Sequence, residues 1–200
     1  MNFKVKALLA IVAVSASSFA LAQNKNFTGF SAGVNANFAD SKAEYSGTNV
    51  VPSPLKSNQS DQNASLQAQY GFGISDKFVV GLGVTYGIGE LKSGTVSGVN
   101  SKTKDMYTVN LEPGYVVTPS TLVYGKVAYA NAKGEASGGF VGSANTTGYG
   151  YGIGFRTMLT GKLYLQGEYV QTSYDKKNVG TGVDVKADTG VASIGVGYNF

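Results

Sequence analysis

The stretch Ala192-Ser193-Ile194-Gly195-Val196-Gly197-Tyr198-Asn199-Phe200 decides the reading of this chain. Successive side chains of a strand point to opposite faces, so Ala192, Ile194, Val196, Tyr198 and Phe200 share one face and Ser193, Gly195, Gly197 and Asn199 the other. One face is apolar; the other is small or polar. Working outward, the same alternation gives further apolar rows. These are Phe30 to Phe38; Leu66 to Ile74; Phe78 to Ile88; Tyr107, Val109, Leu111, Tyr115 and Val117; Val123, Val127 and Tyr129; Tyr149, Tyr151, Ile153, Phe155 and Leu159; and, less regularly, Leu163, Leu165 and Tyr169. With the last stretch this makes eight expected strands, and no segment of comparable length has helical periodicity beyond residue 22.

The connections alternate in length. Ser75-Asp76-Lys77, Thr118-Pro119-Ser120-Thr121 and Thr160-Gly161-Lys162 read as tight turns built from turn-forming residues. The intervening segments, about Ala39 to Gln62, Leu91 to Asp105, Ala132 to Thr146 and Asp175 to Ala187, read as four long loops rich in Gly, Ser, Asn and Lys. Short turns at one end and long loops at the other describe an up-and-down meander whose ends face different surroundings.

Composition decides which way the apolar face points. A soluble sandwich solvates its polar face with long charged side chains, whereas here that face is Gly, Ser, Asn and Gln, suited to the crowded interior of a narrow barrel. A sheet whose apolar face meets lipid has to close, because unpaired backbone groups in hydrocarbon cost several kcal/mol each. The expected fold is therefore all-β, an eight-stranded antiparallel up-and-down transmembrane β-barrel. The aromatic residues sort into two rims: Phe30, Phe72, Phe78, Tyr115, Tyr198 and Phe200 toward the short turns, and Phe38, Tyr86, Tyr107, Tyr129, Tyr149 and Tyr169 toward the long loops. Two girdles are what a roughly 25 Å apolar band between two headgroup layers calls for. Pro113, which cannot donate to the ladder, is expected to mark a bulge or irregularity.

Residues 1–22 stand apart. Lys4 and Lys6, the apolar run Ala7 to Val14 and the small-x-small site Ala20-Leu21-Ala22 read as a cleaved signal peptide, leaving 23–200 as the barrel. Removing the two leader lysines lowers the net charge from +4 to +2, so the chain lacks the basic stripe of a nucleic-acid binder. With no Cys and no His among 200 residues, zinc sites of the common kinds, thiol nucleophiles and histidine bases are excluded. No cofactor, no metal site and no catalysis are expected.

The leader, the eight alternating strands, the stretches Leu111-Glu112-Pro113-Gly114-Tyr115 and Tyr124-Gly125-Lys126-Val127-Ala128-Tyr129, and Gly195 to Phe200 resemble the opacity/OmpA-like (OmpX-type) small outer-membrane β-barrel family of Gram-negative bacteria. The resemblance covers essentially all of 23–200 and implies an integral outer-membrane protein exported by its signal peptide. It implies that Ile194, Val196, Tyr198 and Phe200 form the signal presented to the barrel-assembly machinery. It also implies outer-membrane lipid and lipopolysaccharide as surroundings, a monomeric state, and an extracellular ligand, if any, on the loops. Enzymes on barrels of this kind depend on a catalytic histidine, which this chain lacks.

Four ionisable residues fall on the inward face: Glu112, Lys126, Arg156 and Glu168. Counting from the turns, Glu112 is expected opposite Lys126 and Arg156 opposite Glu168, a neutral lumenal cluster. Family resemblance suggests that such a cluster plugs or gates the barrel. The functional expectation is a non-enzymatic barrel serving envelope integrity or adhesion-like surface interaction through its external loops; the alternative is a narrow gated ion or small-solute pore. In the loops, nine lysines balance nine acids, Lys92, Lys102, Lys104, Lys176 and Lys177 are candidates to meet lipopolysaccharide phosphates, and Val50 to Leu55 is the one apolar patch.

Overall fold

A computed structural model describes residues 25–47, 55–96, 99–138, 142–178 and 183–200. The leader and the patch at 50–54 lie outside the described residues, as does the side chain of Leu55. The strands are β1 (Gly29–Gly47), β2 (Leu55–Gly73), β3 (Phe78–Ile88), β4 (Leu91–Val96), β5 (Val99–Thr118), β6 (Thr121–Gly138), β7 (Gly142–Met158), β8 (Leu163–Tyr174), β9 (Lys177–Asn178) and β10 (Val183–Asn199). β4 prolongs β3 and β9 prolongs β8, so eight antiparallel walls follow one another and β1 pairs with β10 to close the barrel. Closure is completed at the last residue, where Phe200 N–H donates to the Phe30 carbonyl at 2.9 Å and the two rings lie 5.4 Å apart.

The faces point as the alternation requires. All twelve rim aromatics and the row Ile194, Val196, Tyr198 and Phe200 are exposed on the outer wall. Asn35, Gln67, Gln69, Asn110, Glu112, Lys126, Arg156 and Gln166 are buried inside. Tight turns close one end: the Ile74 and Ser75 N–H groups both donate to the Phe78 carbonyl, and those of Leu159 and Thr160 to the Leu163 carbonyl.

One expectation needs correction, and one is met in only one of its two forms. The segments read as long loops are mostly strand: β1 and β5 run 19 and 20 residues, about twice what crosses a bilayer. Beyond the rim the outward face turns polar and the inward one carries mainly small residues such as Ala39, Ala43 and Ala132, so the two-residue hydropathy signal weakens, yet backbone ladders need no large apolar side chains. The Pro113 expectation is met as an irregularity and not as a bulge. Leu111 pairs with Val127 and Gly114 with Tyr124 in unchanged register, and only the intervening pairs are missing. The missing N–H interrupts the ladder without shifting it. The bulges lie between Lys104 and Tyr107, where Asp105 takes a φ of 51°, and between Val116 and Thr118.

Above the rim the wall divides. The β2–β3 ladder stops at the pair Ala64 and Ile88, Gly89 turns the chain with a φ of 88°, and β4 pairs with β5 alone. The β7–β8 ladder stops at Gly148 and Tyr174. The projecting part is thus two sheets, β9-β10-β1-β2 and β4-β5-β6-β7, with outer edges at residues 55–63 and 142–146 that carry no further ladder among the described residues, the Thr147 carbonyl still accepting from the Asp175 N–H at 2.8 Å. Side chains bridge the seams: Lys92 N–H donates to Asp61 Oδ2 at 2.7 Å, and Thr147 Oγ1 donates to Asp175 Oδ2.

Candidate functional site

The inward positions build the lumen in layers. Nearest the short turns, Val79 on β3, Val116 on β5, Leu122 and Tyr124 on β6 and Met158 on β7 surround Phe27, which a 3-10 turn at Lys25–Phe27 inserts from the N-terminal side. Asn26 Nδ2 donates to the Pro119 carbonyl, and Asn199 Nδ2 to the carbonyls of Asn26 and Thr28, which pins that turn in the mouth of the barrel. Phe27 is only 4% exposed. This apolar plug was not anticipated, although Val79, Val116 and Leu122 occupy inward positions of their strands and parity alone points to them.

Next comes the ionic layer. Lys126 Nζ reaches Glu168 Oε2 at 2.8 Å and Glu112 Oε1 at 3.2 Å, and Arg156 Nη2 reaches Glu112 Oε2 at 3.3 Å. The four side chains therefore form one chain, Glu168, Lys126, Glu112, Arg156, and the expected Glu112 to Lys126 pair is present. The expected Arg156 to Glu168 pair is not. β7 and β8 set Arg156 opposite Gln166 and Gly154 opposite Glu168, because the turn is centred one residue earlier than counting suggests. Arg156 instead donates to the side-chain oxygens of Gln166 and Gln69 and lies over the rings of Tyr164 and Tyr124, at 4.9 and 5.3 Å.

Neutral partners complete the layer. Tyr124 donates its hydroxyl proton to Glu168 at 3.0 Å, and Asn110 Nδ2 donates to Glu112 at 2.8 Å. Gln166 Nε2 donates to both Asn35 Oδ1 and Gln67 Oε1. Asn110, Tyr124 and Gln166 each precede a charged residue by two positions in the same strand, so inward parity was the signal that would have found them. Glycines open the necessary room: a Cβ on Gly197 would collide with the ring of Tyr164 and one on Gly154 with that of Tyr124. The layer combines two carboxylates with two cations, each charge against an opposite one, so it supplies charge compensation within the lumen.

The model of the family described as outer membrane protein beta-barrel domain matches residues 7–200. No curated protein matches the chain significantly. Among solved structures, Ail, the attachment invasion locus protein of Yersinia pestis, superposes with a TM-score of 0.51 at 16% identity, covering 86% of this chain and 100% of that one. The outer membrane protease OmpT of Escherichia coli gives 0.51 at 7% identity, covering 93% and 100%. Neisserial surface protein A gives 0.47 at 18% identity, covering 84% and 97%. At these identities the likeness speaks to the fold.

Proposed function

Since the chain belongs to the outer membrane protein beta-barrel family, we propose that it is a non-enzymatic, monomeric integral barrel that holds two projecting sheets outside the cell for surface interaction, contributing to envelope integrity as it does so. The observation that carries this reading is the pair of outer strand edges at residues 55–63 and 142–146, which have no ladder on that side among the described residues. An edge strand is a template for an extended segment of another protein, with main-chain hydrogen bonds giving affinity. Both edges are polar, Lys56 to Asn63 and Ser143 to Thr146, so they accept backbone partners without offering an aggregation-prone apolar strip.

The fold is shared with a protein whose name records attachment and invasion, and that property is Ail's. The row Ile194, Val196, Tyr198 and Phe200 stands on the outer wall beside the closing seam, where assembly machinery can read it before lipid covers it. Absence of histidine from the whole sequence supports the non-enzymatic reading. Against the alternative of a gated pore stands the apolar plug around Phe27, directly beside a charge layer whose cations are all paired.

Adherence of whole cells to protein-coated surfaces tests the proposal. Asn58→Pro and Ser143→Pro each remove an edge donor, and adherence should fall toward that of cells lacking the protein while surface display is unchanged; adherence equal to wild type sinks the edge reading. Planar-bilayer recording tests the alternative, since stepwise conductance by the wild-type barrel would favour the pore.

A further inference from the structure

Residues 25–28 lie as a short strap across the turn end of the barrel, in a seat built from distant parts of the chain. Thr28 Oγ1 donates to the Lys25 carbonyl at 3.3 Å, which closes the 3-10 turn that presents Phe27 to the lumen. Asn26 Nδ2 donates to the Pro119 carbonyl at 2.9 Å across 93 residues of sequence. Asn199 Nδ2 donates to the carbonyls of Asn26 and Thr28, both at 3.2 Å, across 173 and 171 residues. On β2, Gly71 leaves a notch for the strap: a Cβ there would collide with the Phe27 carbonyl, and the next nearest atom on its other side, Thr28 Cα, also belongs to the strap. Gly29 then turns the chain into β1 with a φ of 89°, a conformation that glycine reaches without steric cost.

The origin of the seat fixes when it can form. Val79, Val116, Leu122, Tyr124 and Met158 reach Phe27 from four different walls, while Gly71 and Asn199 add β2 and β10. Contacts of such long sequence separation repay the ordering of the chain only once the walls have closed. The place of the strap fixes what it does. β1 and β10 lie at opposite ends of the chain, so hydrogen bonds alone hold the seam between them, whereas the other neighbouring walls are also joined by the chain itself. Asn199 stands at that seam opposite Ser31, and its side-chain amide ties β10 to the two carbonyls just before β1. Parting β1 from β10 breaks these bonds, and moving β1 outward withdraws Phe27 from a buried seat.

We infer that the strap Lys25–Thr28 is a lock on the closed barrel: it docks after β1 and β10 have paired, holds their seam shut from inside the turn end, and raises the barrier to unfolding without taking part in folding. Interactions made only after the transition state slow unfolding and leave the folding rate alone. The lock lies at the end of the barrel opposite the strand edges of the proposed function and acts independently of them.

Folding of the mature chain into lipid vesicles and its unfolding in denaturant, each followed by mobility on unboiled gels, test the lock. Phe27→Ala should unfold about a hundredfold faster than wild type. Asn26→Ala, which loses one hydrogen bond, should unfold about fivefold faster. Both should fold within about twofold of the wild-type rate. Gly71→Ala fills the notch and should likewise quicken unfolding alone. Because its added Cβ meets strap atoms, Gly71→Ala should add little to Phe27→Ala when the two are combined. Unfolding of Phe27→Ala at the wild-type rate would mean that the strap holds nothing, and folding slowed as much as unfolding is quickened would place the strap in the closing step itself. Either result, or full additivity of Phe27→Ala with Gly71→Ala, overturns the lock.

Discussion

Two adjacent layers of one lumen are closed by opposite chemistry. Around Phe27 the space is filled by Val79, Val116 and Leu122, side chains that ask nothing of their neighbours except contact, and by the ring of Tyr124. One row further, Glu112, Lys126, Arg156 and Glu168 fill the same cross-section with four charges, each committed to named partners. An apolar layer tolerates the loss of one member as a cavity; an ionic layer tolerates it as an unpaired buried charge, which is worse. The barrel is too narrow for a water column to rescue either layer.

The largest expected effect follows from breaking the ionic layer at its centre. Lys126 alone touches both carboxylates that bracket it, so Lys126→Ala leaves Glu112 and Glu168 facing each other, buried, with only Arg156 to compensate. The expected loss is about 3–5 kcal/mol. Denaturant titration of the folded and unfolded gel bands in detergent measures it. Replacing Lys126→Met together with Glu168→Gln should recover most of that loss, since Glu112 and Arg156 remain as a pair and no other charge is left in the layer. A single variant within about 1 kcal/mol of wild type would mean that water reaches this layer.

The apolar layer should respond more mildly. Leu122 is 3% exposed and its removed methyl groups leave a dry cavity, so Leu122→Ala is expected to cost about 2–4 kcal/mol in the same titration. Because that cavity is lined by apolar atoms, the variant should still conduct no ions across a planar bilayer. Conductance appearing in Leu122→Ala would show that the plug, rather than the charges, had sealed the barrel. Smaller again is the overpacking of the boundary between layers. Tyr124 belongs to both, contacting the plug and donating to Glu168, and the bare backbone of Gly154 accommodates its ring. Gly154→Ala forces that ring to move, at about 1–3 kcal/mol.

These layers were unequally legible in the sequence. Alternation placed every wall, both aromatic rims and the inward direction of all four charges, because lipid on one side and a narrow lumen on the other leave no choice of face. The pairing of Arg156 with Glu168 failed because opposite partners depend on where a turn is centred, and a shift of one residue there moved Arg156 to face Gln166. The plug escaped because Val79, Val116 and Leu122 each adjoin an outward apolar residue, Val80, Val117 and Val123, so the alternation is locally erased. Phe27 escaped because it enters from outside any strand. Above the rim the signal fades: Lys56 to Asn63 is polar on both faces, and Ser41 to Gly47 has only Ala43 and Tyr45 on its inward face, too short a row to distinguish a strand from a loop.

Those projecting strands supply the weakest contrast with the buried layer, because there the same kind of ion pair stands in water. The ammonium of Lys104 hydrogen-bonds Glu135, which lowers the carboxyl below its ordinary 4.5 and raises the ammonium above its ordinary 10.5. For Glu135, folded value below unfolded, the contribution is complete above about pH 4.5 and disappears as pH falls through the depressed folded value. For Lys104, folded value above unfolded, it is complete below about pH 10.5 and disappears as pH rises through the elevated one. The outer parts of β5 and β6 should therefore lose amide-exchange protection, corrected for intrinsic rates, on acidification from pH 6 to pH 3, while the membrane-level parts of the same strands do not change. Lys104→Gln at pH 6 should reproduce part of that loss in the outer parts and respond less than wild type to the same acidification, since Lys133 still holds Glu135 at 3.2 Å. If the variant still responds fully, the acid effect comes from other carboxylates on these sheets and the pair contributes nothing measurable, the ordinary fate of an exposed ion pair.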